Sequence, residues 1–287
     1  MRGAVVALVA LSLCLSLAFI GDLGRPAGAT ALWVFVAMSF GLQWVAFVPA
    51  VILRTERFYD LMGTVGYLTL TAAALASTEL DFRKLAVALA VAIWGLRLGS
   101  FLFLRIHRDG KDRRFDQIKI NPPRFFAAWS LQATWVFITL LAVLLVLLRP
   151  SQPEFRITDV LGMGLWAVGF GIEATADAQK RAFRAREENA GRFISTGLWA
   201  WSRHPNYFGE ILLWTGLAVV GAGVFQGSEW IGWVSPLFVT LLLLRISGVP
   251  TLEKEADRRW GDDPDYARYK AATPVLVPRP PQARETV

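Results

Sequence analysis

Long apolar runs alternate with short polar segments along most of this chain. Each run has about 16–24 residues, and a helix of that length crosses roughly 30 Å of hydrocarbon. No period-2 alternation passes through the runs, so membrane helices are favoured over a β-barrel. The sequence therefore predicts an all-α fold, a polytopic bundle of about eight transmembrane helices. The predicted spans are residues 4–20, 31–53, 61–77, 85–104, 125–148, 157–176, 207–225 and 230–247.

The first run is the weakest of the eight. Arg2, a short apolar stretch and the small residues 26–29 are also typical of a cleaved signal peptide. Seven spans would then remain. A second long run follows almost at once, which favours a retained first helix.

The distribution of cationic side chains predicts the orientation of the spans. With eight spans, 23 of the 30 Lys and Arg residues fall on one side of the membrane, 5 fall on the other and 2 lie within spans. Cytoplasmic loops carry the excess of Lys and Arg. We therefore expect both termini and the basic loops 105–124 and 177–206 in the cytosol. The net charge of +7 then reflects membrane topology and not nucleic-acid binding, and an inner (cytoplasmic) membrane is the expected location.

Composition excludes several kinds of site. A single cysteine, Cys14, cannot form an intramolecular disulfide. Two histidines without clustered thiolates argue against a zinc site, and no metal is expected. No Gly-x-Gly-x-x-Gly follows a predicted strand, and neither a Walker lysine nor a Gly-x-Ser-x-Gly serine motif occurs. Soluble nucleotide-binding folds and serine hydrolases are therefore not expected.

Polar groups gather at the predicted cytosolic ends of the spans. Ionisable groups in or beside membrane helices are costly, so each is a functional candidate. We expect them to converge near the cytosolic leaflet. They are Tyr59, Asp60, Arg97, Glu173, Asp177, Asn206 and Glu210.

The end of the sixth span carries one constellation. Glu173, Asp177, Arg181 and Arg184 are spaced by four, four and three residues, which places them on one helical face. Two guanidinium groups beside acceptors can hold a phosphate and hydrogen-bond a sugar or base. The alternative is an amphipathic juxtamembrane helix that makes salt bridges and contacts anionic lipid headgroups.

The start of the seventh span carries a second constellation. Pro205 suits the first turn of a helix, and the free N–H groups there can receive an anionic or amide-bearing ligand. The alternative, a capped helix with an interfacial aromatic belt, explains the tryptophans of this segment but explains its polar residues poorly. The polar residues are Arg203, His204, Asn206, Tyr207 and Glu210.

The basic loop 105–124 carries a third, with Lys111 and Arg114. It is interpreted either as a phosphate-binding lid or as a loop that contacts lipid headgroups.

The segment 197–210 resembles the C-terminal signature of membrane steroid 5α-reductases, and is most similar to a bacterial membrane family of unknown function allied to them. The resemblance covers roughly residues 55–278. We accordingly divide the chain into N-terminal transmembrane helices (1–55), a steroid-reductase-like membrane domain (56–278) and a disordered tail (279–287). Further matching segments are residues 97–102, 110–116, 248–254 and 266–274.

The resemblance implies an NADPH site closed by cytosolic loops and reduction of an enone in a lipidic substrate. It implies that Asn206 holds the nicotinamide carboxamide with Glu210 beside it, and that Asp177, Arg181 and Arg184 lie on the cofactor face. The steroid enzymes hold the substrate ketone with a Gln-Glu pair and a tyrosine. Here Tyr59-Asp60 stand in the likely place of the pair and Trp94 in that of the tyrosine, while Glu173 replaces an asparagine.

The resulting hypothesis is an integral membrane, NADPH-dependent oxidoreductase that reduces a carbon–carbon double bond of a steroid-like or other lipidic substrate. Tyr59 and Asp60 are the candidate catalytic residues. The candidate cofactor residues are Arg97, Lys111, Arg114, Glu173, Asp177, Arg181, Arg184, Arg203, His204, Asn206, Tyr207 and Glu210.

Two other function classes stay open. An S-adenosylmethionine-dependent membrane methyltransferase is the first, because such enzymes carry a related Arg-His-Pro-x-Tyr-x-Gly segment. A non-enzymatic lipid-binding protein is the second, although the short, charge-poor loops on the non-cytosolic side argue against a polar path between the two faces. Membrane lipids and a lipidic small molecule are the expected partners, and nucleic acid is not.

Overall fold

The computed structural model describes residues 2–25, 30–109, 112, 115–152 and 154–281. These residues form helices and helical turns with no strand among them, which confirms the predicted all-α fold class. The α-helices are α1 (Arg2–Asp22), α2 (Leu32–Ile52), α3 (Tyr59–Ala76), α4 (Phe82–Asp109), α5 (Pro122–Leu147), α6 (Ile157–Arg184), α7 (Pro205–Ala222), α8 (Val234–Leu241), α9 (Val249–Trp260) and α10 (Pro264–Ala272).

Six helical segments of the described chain are long and apolar enough to cross a membrane, as in a multi-pass membrane protein. They coincide with six of the eight predicted spans. The other two predicted spans are α3 and α7, which are helices of 18 residues each with polar first turns. The six segments are Gly3–Asp22, Leu32–Ile52, Phe82–Leu104, Pro122–Leu147, Ile157–Arg184 and Gly227–Trp260.

The chain forms two compact units. Unit 1 comprises Met1–Val160 and Leu217–Ser235, and unit 2 comprises Leu161–Gly216 and Pro236–Val287. Helices α6 and α7 therefore each contribute residues to both units.

Unit 1 is built around α5. The last two turns of this helix are apolar on every side, which is the pattern of a helix surrounded by protein. Helices α1, α2, α3 and α4 all pack against it, and 89% of its most apolar window is buried. Its side chains supply the centre of the unit 1 core, including Phe137, Ile138, Leu140, Leu141, Val143, Leu144 and Leu145.

Buried ion pairs close one end of unit 1. Arg83 and Asp159 are 3% and 5% exposed, and two nitrogens of the Arg83 guanidinium bind the Asp159 carboxylate at 2.6 and 2.8 Å. Arg149 pairs with the buried Glu229 in the same unit. The Lys84 ammonium donates to the Thr78 hydroxyl at 2.6 Å. Charges removed from water need such partners, because an unpaired buried charge is very costly.

Hydrogen bonds at the same end of unit 1 show that its consecutive helices alternate in direction. The Asp22 carboxylate at the end of α1 accepts a hydrogen bond from the Leu32 amide at the start of α2. Thr78, which follows α3, donates to the carbonyl of Arg149, which follows α5. The end of α1 therefore meets the start of α2, and the ends of α3 and α5 meet the start of α4.

Asp159→Asn should destabilise the protein by about 3–5 kcal/mol, because it leaves the Arg83 charge buried without its counter-ion. Thermal unfolding of the detergent-solubilised protein measures the effect. Asp265→Asn is the matched control, since Asp265 pairs with Arg268 where both side chains are more than 70% exposed. Equal melting temperatures for the two variants would contradict the structural role of the buried pair.

Candidate functional site

Glycine contacts bring α6 and α7 together within unit 2. A Cβ atom added to Gly209 would lie 2.5 Å from the Gly169 carbonyl oxygen, and one added to Gly216 would lie 2.5 Å from that of Gly162. Only glycine allows backbones to approach this closely, as in small-residue interfaces of membrane helices. The two contacts lie seven residues apart on each helix, so they follow one face. This approach sets the candidate side chains of the two helices beside each other.

Asn206, at the start of α7, binds Asp177 near the end of α6. Its Nδ2 donates to Asp177 Oδ1 at 3.2 Å. Glu173 lies one turn before Asp177 on the same face and is 2% exposed. These three predicted site residues are therefore brought together within unit 2.

The Asn206 amide leaves one polar atom available. Its Oδ1 is buried, and no described residue donates a hydrogen bond to it. A buried acceptor without a donor costs about 1–3 kcal/mol, so such an atom is a candidate contact for a ligand or ordered water. Because Nδ2 is committed to Asp177, the amide is oriented with Oδ1 as an acceptor for an N–H or O–H group.

Four further cofactor candidates of unit 2 lie on the same two helix ends as this pair. Arg181 and Arg184 are exposed on the last turns of α6, beyond Asp177. Tyr207 and Glu210 are half-buried on the first turns of α7.

Arg203 and His204 bind a carboxylate of unit 2 that the sequence did not single out. Glu253 on α9 accepts from Arg203 Nη1, and its Oε1 lies 2.8 Å from His204 Nε2. The His204 ring stacks on Tyr207, with centroids 5.5 Å apart and planes within 10°. Both residues were predicted to bind cofactor. In the structure Arg203 and His204 join α9 to the start of α7, a role that no spacing in the sequence indicates.

The turn that precedes Arg203 docks on α6. The Gln179 side-chain oxygen accepts from the Leu198 amide at 2.9 Å. The Trp199 indole donates to the Ala176 carbonyl at 3.0 Å, and the Lys180 ammonium lies 4.3 Å from a Trp199 ring centroid. Segment 197–200 is therefore anchored directly beside Asp177. Gln179 and Lys180 were missed because they fall between the residues of the predicted constellation.

The candidate catalytic residues Tyr59 and Asp60 lie in unit 1, in the first turn of α3, and both are half-buried. The Tyr59 hydroxyl donates to the Ala128 carbonyl at 2.9 Å, and its ring packs edge-on against Trp129. Tyr59 would therefore have to exchange its bond to Ala128 before donating to a substrate.

Two buried glutamines hold this first turn of α3. Gln132 Nε2 donates to the Tyr59 carbonyl at 2.7 Å, and Gln43 Nε2 donates to the Met62 carbonyl at 3.0 Å. A Cβ at Gly63 would lie 2.8 Å from Gln132 Nε2, so the glycine makes room for the amide. Neither glutamine was selected from the sequence, because an uncharged side chain within an apolar run carries little signal.

Glu56 fixes the loop before α3 to the segment before α5. It is 3% exposed and accepts from the Asp112 amide at 2.9 Å and from the Lys119 ammonium at 2.7 Å. Burial raises the pKa of this carboxyl, but the hydrogen bonds from Lys119 and Asp112 outweigh it, so the net pKa lies below its ordinary value.

The remaining predicted residues lie in unit 1 or outside the described part of the chain. Arg97 is half-buried on α4 in unit 1. Lys111 and Arg114 lie outside the described residues. Trp94, which stands where the resemblance expects a tyrosine, is 2% exposed and packs edge-on against Tyr67 of α3 at 5.0 Å. A phenol therefore adjoins this position from another helix.

Comparison with known proteins identifies the family. Residues 46–273 match the family described as "Protein of unknown function (DUF1295)". The chain belongs to this family. A relative from Schizosaccharomyces pombe, itself described as an uncharacterized protein, is 22% identical over 220 residues. That match covers 61% of this chain and 64% of the relative, slightly less than two thirds of its length. No solved structure matches the chain. Within the DUF1295 match lie the Asn206–Asp177 pair and the Glu253 contacts.

Gly209→Ala should destabilise the protein by about 1–3 kcal/mol, because the added methyl group forces α6 and α7 apart. Gly171→Ala is the control, since a Cβ there meets nothing within 4 Å and alanine favours a helix. Thermal unfolding compares the two variants. A Gly209→Ala protein as stable as Gly171→Ala would contradict the close approach.

Glu56→Gln should lower the free energy of unfolding at neutral pH by about 1–3 kcal/mol, because charge-assisted hydrogen bonds are lost. The melting temperature should fall accordingly. A carboxyl with a lowered folded-state pKa stabilises above its ordinary pKa of 4.5, and this contribution disappears as the pH falls through the folded-state value. The difference between variant and wild type should therefore shrink below pH 4.5. A difference independent of pH would contradict the ionic role of Glu56.

Proposed function

We propose that the protein is a membrane-embedded, NADPH-dependent reductase of a carbon–carbon double bond in a lipidic enone. The observation that carries the proposal is the Asn206 amide, fixed by Asp177 and presenting a buried acceptor that no described residue satisfies. The resemblance of segment 197–210 to steroid 5α-reductases supports the same cofactor.

The residues present fit a nicotinamide cofactor. A carboxamide carries an N–H donor for the Asn206 Oδ1, and a matched amide pair is a selective contact because a ligand without the donor leaves the oxygen unsatisfied. Glu173 and Glu210 lie on the neighbouring turns and offer acceptors for hydroxyl groups. Arg181 and Arg184 supply the planar, permanently charged forks that hold phosphates. NADPH would supply the hydride.

The chain itself must orient the substrate and provide a proton. Reduction of an enone develops negative charge on its oxygen, and a donor held there lowers the barrier. Tyr59 and Asp60, side by side in the first turn of α3, are the candidate donors. Tyr59 would have to exchange its bond to Ala128. An apolar substrate would enter from the lipid, which the exposed apolar surface of the spans contacts.

The proposal places the protein in the inner (cytoplasmic) membrane, with both termini and the cofactor site on the cytosolic side. The 23-to-5 division of Lys and Arg supports this orientation. A green fluorescent protein fused to the C-terminus should fluoresce, because this protein becomes fluorescent in the cytosol. It does not become fluorescent when it is exported across the membrane in an unfolded state. A dark fusion that is nevertheless inserted and stable would reverse the orientation.

Asn206→Ala should weaken NADPH binding roughly tenfold or more, because the buried amide contact is lost, and should abolish NADPH oxidation with a Δ4-3-ketosteroid as enone probe. The measurements are the NADPH dissociation constant from nicotinamide fluorescence and the loss of nicotinamide absorbance. Asn189→Ala is the control, since Asn189 donates to the Phe183 carbonyl on the same unit. NADPH affinity unchanged in Asn206→Ala would refute the assignment.

Thermal shift separates the reductase from a methyltransferase on a similar scaffold. A ligand that binds only the folded state raises the melting temperature by mass action. NADPH should stabilise the wild-type protein and S-adenosylmethionine should not. The opposite result would establish the methyltransferase class, and stabilisation by neither would favour lipid binding without catalysis.

A further inference from the structure

The C-terminal segment of unit 2 grips the polypeptide that leads into α7. Residues 249–279, here called the C-terminal strap, comprise α9, α10 and the extended chain after them. The Tyr269 hydroxyl donates to the Trp199 carbonyl at 2.7 Å. The Arg203 amide donates to the Pro274 carbonyl at 2.9 Å, and a third bond joins the Arg279 amide to the Trp201 carbonyl at 3.0 Å. The strap thus holds the backbone of residues 199–203 from one side.

Aromatic packing extends this grip towards α6. Phe193 lies among three strap residues, with ring centroids 6.0 Å from Trp260, 5.3 Å from Tyr266 and 5.4 Å from Tyr269. The Trp260 indole donates to the Gly191 carbonyl at 2.5 Å. Burial raises the pKa of the Tyr266 phenol to about 12, so it stays protonated in this cluster at physiological pH.

Glu253 is the one strap carboxylate that binds two consecutive residues of the loop. It accepts from the Arg203 guanidinium and from His204 Nε2, and the Lys270 ammonium lies 3.8 Å away. The side chains of Glu253, Arg203 and His204 are 19%, 11% and 6% exposed, so the interaction is largely shielded from water. A shielded carboxylate between cationic groups is held firmly, because moving it would strand buried charge.

The contacts of Glu253 with Arg203 and His204 also restrict the start of α7, because these two residues directly precede it. His204 is followed by Pro205, whose ring fixes φ near −65°, and Asn206 comes next. His204 also stacks on Tyr207, so both neighbours of Asn206 along the helix start are held. Little rotational freedom remains between the Glu253 contacts and the Asn206 amide.

We propose that Glu253 is a positioning residue: by fastening Arg203 and His204 to the strap, it presets the Asn206 amide for its ligand. That the ligand is NADPH rests on the function proposed above. Preset groups do not lose binding energy to ordering when the ligand arrives, so loosening the strap should cost affinity without removing any ligand contact.

The experiment uses the full chain in detergent with three variants. Glu253→Ala removes the carboxylate, and Glu253→Gln keeps one of its two acceptor oxygens without the charge. Glu255→Gln is the matched control, since Glu255 lies on the same helix and pairs with Arg258 and Arg259, which are 74% and 54% exposed. Hydrogen–deuterium exchange of the amides of residues 208–213 reports the start of α7, and the amides of α5 serve as an internal reference. The NADPH dissociation constant is measured on the same samples.

In Glu253→Ala we expect amide exchange at residues 208–213 and the NADPH dissociation constant to rise by about tenfold, the order expected for a displaced positioning contact. Glu253→Gln should fall between Glu253→Ala and wild type, Glu255→Gln should match wild type, and α5 exchange should not change.

Unchanged exchange at residues 208–213, or an equal rise in α5, would overturn the positioning role. So would faster exchange with unaltered NADPH affinity. If wild-type protein does not bind NADPH, the proposed cofactor fails, and the exchange data still decide whether Glu253 positions α7. If Glu253→Ala does not fold, Glu253→Gln against Glu255→Gln decides the same question.

Discussion

The cost of removing charged side chains from water constrains the buried ionic contacts of this protein. An apolar bundle can contain arginine, lysine and carboxylate side chains only where they meet partners, because an isolated ion in hydrocarbon or protein costs several kcal/mol. At one end of unit 1 the buried charged side chains form ion pairs, among them Arg83 with Asp159 and Arg149 with Glu229. The same cost applies in unit 2 to the buried Asn206 Oδ1, to which no described residue donates a hydrogen bond. This atom is therefore a candidate contact for a ligand.

The candidate site of unit 2 combines two kinds of polar contact. Glu253 binds Arg203 and His204 and joins the strap to the loop before α7. Asn206 is satisfied by Asp177 on one side only among the described residues. An amide that is oriented by a neighbour and keeps a spare acceptor is typical of recognition. The proposed cofactor contact therefore depends on the orientation that Asp177 gives the Asn206 amide.

Much of the fold could be read from the sequence, since apolar runs of membrane length leave few alternatives to helices. The Asp177–Asn206 contact could be anticipated too, because each residue opens or closes a helix at the same predicted end. The partners of Arg203 and His204 could not. Glu253 lies 49 positions after His204, and local periodicity contains no information about pairs at that separation. Gln43 and Gln132 were missed for another reason. Their amides are uncharged, and uncharged side chains within apolar runs carry little signal in the sequence.

The glycine contacts between α6 and α7 have a mechanical consequence. Repeated every seven residues, they run along about 10 Å of the helix axis, with main chain pressed against main chain. Rotating either helix would drive a side chain into the opposing backbone, so the interface resists twisting in both senses. Helices α6 and α7 therefore form a rigid pair whose relative rotation and spacing are fixed by their glycines.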